Sequence, residues 1–284
     1  MPVGLVLEGG GMRGWYTAGV LSVFTKNKIT FPVVYGISAG SINALSYISG
    51  QSTEESIRVL IKYTGDKRVL STENLDKTGS AFGFDFMFGE MFHTITPFDY
   101  KKFFESPVRM EAGTTDMETG KAKFFGKEDM DDSFTVIRAS CSLPMISNIV
   151  HFKGYNLMDG GYSQPIPIEH SIEEGNGRNI IVLTREASYR KSMKPEIDSP
   201  TLHKNYGEYP AFIKDVLHRP QVYNNELKLC ADIEKAGKAI VIRPSRPIKI
   251  GRCENNPEIL WKIYQLGIRD CTALLPKIHA FLKA

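Results

Sequence analysis

The chain has 284 residues, 42% of them hydrophobic and 24% charged, which excludes a disordered chain and suits one large α/β domain, or at most two small ones. A formal charge of +3 is too small to argue for a nucleic-acid partner, but it is compatible with an anionic membrane surface. The four cysteines (Cys141, Cys230, Cys253, Cys271) have neither CxxC nor Cys/His spacing, so they read as reduced thiols rather than a disulfide or zinc framework.

No basic segment followed by an apolar one opens the chain, and no apolar stretch is long enough to span a bilayer. The expectation is therefore a cytoplasmic protein. Val3–Leu7 reads as a buried strand and Gly14–Thr25 as a helix with Val20, Leu21 and Phe24 on one face. Phe31–Tyr35 predicts a second strand and Ser41–Ser49 a second helix. Ser52 and Glu55 form a Ser-x-x-Glu capping box that starts a third helix, running through Tyr63. The alternation of strand and helix predicts a parallel sheet with crossover helices.

Residues 82–104 are dense in Phe and Met, and the alternation of Phe82, Phe84, Phe86 and Phe88 suggests an extended segment. Two strands then flank a turn at Glu118-Thr119-Gly120. Ser133–Ser140 reads as a short helix, and His151–Leu157 as a strand region split at Gly154. Asn179–Thr184 and Ala239–Arg243 are further core strands. Asn224–Ala236 and Pro257–Leu282 are helical in pattern, the latter interrupted near Gly267 and Pro276. Residues 186–207 are polar and read as a surface connector.

Gly9, Gly11 and Gly14 fall on Gly-x-Gly-x-x-Gly between the first strand and helix, the pattern of a dinucleotide loop. Such a site also needs an acidic residue about 20 positions on, and none stands between Gly9 and Glu54. In its place is Gly36-Ile37-Ser38-Ala39-Gly40, a Gly-x-Ser-x-Gly turn directly after a strand. Such a turn exposes its serine on a tight, strained elbow, although a plain glycine-rich turn has the same spelling. The free N–H groups of the first loop then suit the oxyanion of an attacked ester as well as a pyrophosphate. None of the six histidines lies in a marked loop. One carboxylate does: Asp159, followed by Gly160 and Gly161. It reads either as a common Asp-Gly turn or as a base beside Ser38.

The ordered set "GGGMRG" (9–14), "GISAG" (36–40), "ASCSLP" (139–144) and "DGG" (159–161) resembles the patatin-like phospholipases, serine acyl hydrolases, over roughly the first 185 residues. The resemblance implies a three-layer α/β/α fold with a mainly parallel central sheet. It implies Ser38 as nucleophile and Asp159 as base, with no histidine. It implies an oxyanion hole in Gly9, Gly10, Gly11, Met12, Arg13 and Gly14. Gly36, Ile37, Ala39 and Gly40 would shape the elbow, and Gly160 and Gly161 the base loop.

The combined expectation is a catalytic domain over residues 1–185, with residues 186–284 as an extension packed on the same α/β unit. Its substrate would be a lipid or other acyl ester, its chemistry would need no metal or cofactor, and residues 82–104 would either pack as an ordinary core patch or in part border the acyl-chain entrance and touch the membrane. An acyltransferase with the same two residues, or a nucleotide-binding regulatory protein using the glycine loop, are the alternatives.

Overall fold

The computed structural model describes residues 2–284. β1 (Val3–Leu7), α1 (Gly14–Lys26), β2 (Val33–Ile37), α2 (Ala39–Ile48) and α3 (Glu54–Lys62) follow in the expected order. α4 (Thr72–Thr78), a π-helix over Phe86–Ile95 and α5 (Tyr100–Glu105) come next. β3 (Arg109–Asp116) and β4 (Ala122–Gly126) form the hairpin. Then come α6 (Thr135–Ser140), β5 (Val150–Phe152), β6 (Tyr155–Asp159), α7 (Ile168–Glu173) and β7 (Arg178–Val182). α8 (Ser199–Tyr206), α9 (Pro210–Lys235), β8 (Ala239–Ile242) and α10 (Pro257–Lys283) complete the chain.

All eight strands join one sheet, in the order β5-β6-β3-β2-β1-β7-β8 with β4 also on β3. β3, β2, β1, β7 and β8 are mutually parallel, and β4, β5 and β6 are antiparallel additions at the β3 end. Side chains alternate across the pleat. Leu5 and Leu7 of β1 face the core that holds α1 and α10, while Val6 faces a second core with Tyr223 and Cys230 of α9. Helices thus cover both faces, giving the three-layer α/β/α arrangement that the motif order implies.

α1 and α10 cross with Gly19 and Gly267 at the contact. A Cβ on Gly19 would collide with the Tyr264 carbonyl, and one on Gly267 with the Tyr16 carbonyl. Gly267 therefore does not interrupt α10. The helix runs unbroken through Gly267 and Pro276, contrary to the sequence reading, because the glycine lets two backbones approach.

Three other readings change. The cap of α3 is Thr53, not Ser52: its hydroxyl accepts from Ser56 N–H at 3.3 Å, and Ser52 is buried. The Phe-rich segment is π-helical rather than extended. Its wide turn sets Phe84, Phe88 and Phe92 on one side, where Phe88 packs on Phe84, Phe92 and Phe134. Phe84, Phe88, Phe98 and Phe103 are thus core residues, while Phe86 lies under the Arg68 guanidinium. The polar stretch 186–207 ends in a capped helix, α8, with Asp198 accepting from Thr201 N–H.

Gly267→Leu should lower stability by about 1–3 kcal/mol, the usual range for overpacking a filled contact. Urea unfolding reads this directly, and an unshifted midpoint would show that α1 and α10 do not meet at these glycines.

Candidate active site

β2 and β4 pair with overlapping residues of β3, so they occupy opposite edges. β6 overlaps β4 in the same way, so β6 shares the β2 edge. β2 ends there with Ile37 opposite Gly113, and β6 arrives from the other direction with Asp159 opposite Thr114. The two strands meet nearly end to end. Ser38, the next residue after β2, and Asp159, the last of β6, are delivered to one place by consecutive residues of β3.

Ser38 has φ 53° and ψ −123°, a left-handed conformation sparsely populated for residues with a side chain. Such a conformation costs on the order of 1–3 kcal/mol and persists only when its surroundings over-determine it. The surroundings are specific. Ser38 N–H donates to Ser140 Oγ at 2.9 Å, and Ser140 Oγ–H donates to the Gly113 carbonyl at 2.7 Å. Ser41 Oγ–H donates to the Ser38 carbonyl at 2.6 Å. Ser140 belongs to "ASCSLP", a segment to which the sequence assigns no role. Its part emerges only once β3 and α6 are seen side by side.

Asp159 is buried, and its backbone is held at both ends. Its N–H donates to the Ser142 carbonyl at 2.8 Å, and its own carbonyl accepts from Thr115 Oγ1 at 2.9 Å. Gly161 N–H donates to Oδ1 at 2.7 Å. Oδ2 is buried with no hydrogen bond of good geometry, although the Ser38 hydroxyl is near enough to act on the carboxyl. Burial raises the Asp159 pKa above the ordinary carboxyl value, against the lowering effects of Ser38, Gly161 N–H and the Arg219 and Arg252 charges. Gly160 must lack a Cβ because one would strike the Gly113 carbonyl.

The first glycine loop lies beside Ser38: a Cβ placed on Gly9 would be 3.3 Å from that of Ser38. Within it, Gly9 N–H donates to Pro165, Met12 N–H to the Arg252 carbonyl and Arg13 N–H to Gly10. Gly14 N–H turns back onto Gly11 and Met12. Among the described residues, the N–H groups of Gly10 and Gly11 find no acceptor. Gly11 has φ +55° and lies against the Arg252 carbonyl, 2.7 Å from where its Cβ would be. Gly36 and Gly40 pack the elbow against Ser41 and the Leu7 carbonyl, respectively.

Ser38, Ala39, Asp159, Gly161 and Gly9–Arg13 line one cavity of about 350 Å³. A second, apolar cavity of about 160 Å³ adjoins it, sharing Met12, Ala39, Ile42 and Met87 as walls and adding Trp15, Met91 and Phe92. None of the six histidines lines either cavity. His170 bonds Glu111 at 2.7 Å and stacks on Phe124, so it serves the sheet edge. Gly14 lines only the apolar cavity; Gly36, Ile37, Gly40 and Gly160 support the site from behind.

The patatin-like phospholipase family model matches residues 5–172, more than half of the chain. The chain belongs to the patatin-like phospholipase family. Every motif described above lies within that match. A second model, a domain of unknown function called DUF6363, matches residues 209–283, which contain α9, β8 and α10. The chain is 26% identical over 196 residues to the uncharacterized protein YjjU of Escherichia coli, covering 64% of this chain and 52% of that protein. It is 28% and 31% identical to proteins named lysophospholipase NTE1 in Meyerozyma guilliermondii and Lodderomyces elongisporus. Those matches cover 61% and 58% of this chain but only 12% and 11% of the yeast proteins. Among solved structures, VipD from Legionella pneumophila aligns over 97% of this chain and 67% of its own, with 12% identity and a TM-score of 0.48. Family membership supports a lipid-hydrolysing enzyme. Among the described residues, no helix is long and apolar enough to cross a membrane.

A carboxyl whose folded pKa is raised binds more protons when folded than unfolded, so stability falls as pH rises from the ordinary carboxyl range towards the folded pKa. Asp159→Asn removes that penalty while keeping an acceptor for Gly161 N–H. The variant should melt higher than wild type at pH 7, and the difference should shrink below about pH 4, where both forms are neutral. A variant less stable than wild type at pH 7 would contradict the desolvated carboxylate.

Proposed function

We propose that the protein hydrolyses acyl esters of lipids, as a phospholipase A, lysophospholipase or carboxylesterase, through a Ser38–Asp159 dyad. The observation that carries this reading is the end-to-end meeting of β2 and β6, which brings a strained serine to a buried carboxylate oxygen with no other partner. Asp159 takes the Ser38 proton as Oγ attacks the ester carbonyl. The carbonyl oxygen becomes an oxyanion and accepts from the idle N–H groups of Gly10 and Gly11, at the glycine loop beside the serine. Collapse expels the alcohol, which takes the proton back from Asp159. Water then attacks the acyl-enzyme, giving its proton to the same carboxylate, and as the fatty acid leaves, Ser38 Oγ takes that proton back from Asp159. Exclusion of water from the dyad raises the basicity of Asp159, which stands in for the missing imidazole. No step calls for a metal or cofactor.

The apolar cavity beside Ser38 is the place for the acyl chain. Met87 and Met91 give it an adaptable wall. Membrane contact through residues 82–104 would fall to exposed basic and apolar members such as Lys101, Lys102 and Phe104, since most of the phenylalanines are in the core. A cytoplasmic setting agrees with four free cysteines. Residues 186–284 would form one unit with the family-matched segment, since β8 extends its sheet and α10 packs on α1.

A panel of p-nitrophenyl and lipid esters tests the reading. Ser38→Ala should lower turnover about 10,000-fold or more with unchanged thermal melting. Asp159→Asn should come close to that loss. His170→Ala, outside the cavity, should leave turnover near wild type once folded. Turnover retained in Ser38→Ala, or lost in a folded His170→Ala, would overturn the dyad. Met87→Trp should narrow the passage between the cavities and reduce long-chain turnover more than short-chain turnover. Equal loss on both would place the acyl chain elsewhere.

A further inference from the structure

Three side chains of α9 reach the loops of the site from outside the family-matched residues 5–172. Arg219, Tyr223 and Glu226 stand at i, i+4 and i+7, so they fall on one stripe of the helix. Arg219 Nε donates to the Gly161 carbonyl in the base loop. Tyr223 OH donates to Glu8 Oε1 at 2.7 Å, and Glu8 immediately precedes the glycine loop. Glu226 Oε2 accepts from Ile166 N–H at 2.8 Å, and the neighbouring Pro165 carbonyl accepts from Gly9 N–H. One face of one helix therefore holds both loops at once.

The polar character of that face works against stability. Glu8, Tyr223 and Glu226 are all buried, and burial pushes both carboxyls above their ordinary range. Glu226 Oε1 has no partner. A helix needed only to cover the sheet would be more stable with apolar side chains here, as it has at Cys230.

Arg219 is the member of the stripe that bears on Asp159. It lines the cavity with Ser38 and Asp159. Its Nη1 pairs with Glu196 at 3.3 Å, and its guanidinium lies over the Tyr162 ring. These contacts fix the guanidinium while Nε holds Gly161. Gly161 N–H in turn donates to Asp159 Oδ1, so the loop sets the rotation of the carboxyl. The hydrogen bond of Arg219 goes to the loop backbone and not to the carboxyl itself.

We propose that α9 is a clamp that holds the base loop against the glycine loop, and that Arg219 is the positioning residue through which it acts on Asp159. This gives a role to residues 209–283, the segment that matches a domain of unknown function. The effect on turnover rests on the acyl-hydrolase reading of Ser38; the clamp itself does not.

Turnover of p-nitrophenyl butyrate tests the first part. In Arg219→Gln, kcat should fall about 100-fold, the loss expected when reacting groups are misplaced by about 1 Å, with KM within about twofold of wild type. The acid limb of kcat should also move to higher pH. Arg219 and Arg252 are the cations that favour the Asp159 carboxylate, and Glu196 pairs with both. Its other titratable neighbours, Cys141 and Tyr162, are pushed up by burial and stay neutral. Losing one cation leaves Asp159 harder to ionise. Arg219→Lys keeps the charge without the planar fork, so it should hold the wild-type limb and recover only part of kcat. Tyr223→Phe, a milder change, should lower kcat about tenfold by freeing Glu8. Wild-type kcat in Tyr223→Phe or in a folded Arg219→Gln would overturn the clamp. So would a kcat loss in Arg219→Gln that comes with a lowered Tm and an unmoved limb.

Hydrogen exchange in the Ser38→Ala background reads the clamp without catalysis. Adding Arg219→Gln should speed exchange over residues 160–166 at least about tenfold and leave β8 unchanged. Faster loop exchange, with no hydrolysis of the ester by wild type, would sink the hydrolase reading and keep the clamp. Unchanged loop exchange, or faster exchange throughout the protein, would overturn the clamp whatever the turnover.

Discussion

One edge of β3 governs the site. It accepts β2 as a parallel partner up to Gly113 and β6 as an antiparallel partner from Thr114 onward. Hydrogen-bond register is a stiff constraint, because a slip by one residue would turn every side chain to the opposite face. The separation of Ser38 and Asp159 is therefore set by a single peptide step along β3. The supporting contacts converge on that step. Gly160 presses on the Gly113 carbonyl, Ser140 bridges that carbonyl to Ser38 N–H, and Thr115 holds the Asp159 carbonyl. A rigid frame of this kind can dispense with an orienting third residue.

The frame carries local costs. Ser38 is held at positive φ, Asp159 keeps an unpaired buried oxygen, and Arg13 Nε is buried without a hydrogen-bond partner. These are the places where a fold optimised only for stability would differ. Each is offset by the cores on either face of the sheet, where Leu5, Leu7, Val34 and Ile180 on one side and Val6, Tyr35 and Ile181 on the other are fully buried. The C-terminal region contributes more than packing. The Arg252 carbonyl occupies Met12 N–H, and this leaves Gly10 and Gly11 as the idle donors of the loop.

The parts of the site that follow from local chemistry were legible in the sequence. A tight turn after a strand demands Gly36 and Gly40, and a loop with free N–H groups demands Gly10 and Gly11. What was not legible depends on long-range pairing. Ser140, 102 residues from Ser38, carries no local mark of its role. The Phe-rich stretch looked extended because alternation is a local pattern, whereas its winding is set by Phe134, far along the chain. Gly267 read as a helix breaker because the sequence does not show that Tyr16 packs against it. The polar connector hid Lys191 and Glu196 in the cavity wall, since charge alone does not distinguish a solvated face from a lined pocket.

The central claim is that Ser38 attacks while Gly10 and Gly11 receive the oxyanion, with Asp159 as the base and no histidine. A crystal structure of the protein after reaction with a fluorophosphonate tests it most directly. The phosphorus should be bonded to Ser38 Oγ, with the phosphoryl oxygen about 2.7–3.1 Å from the Gly10 and Gly11 nitrogens and Asp159 Oδ2 facing Oγ. Phosphorus on any other residue, or a phosphoryl oxygen turned away from the glycine loop, would contradict the account.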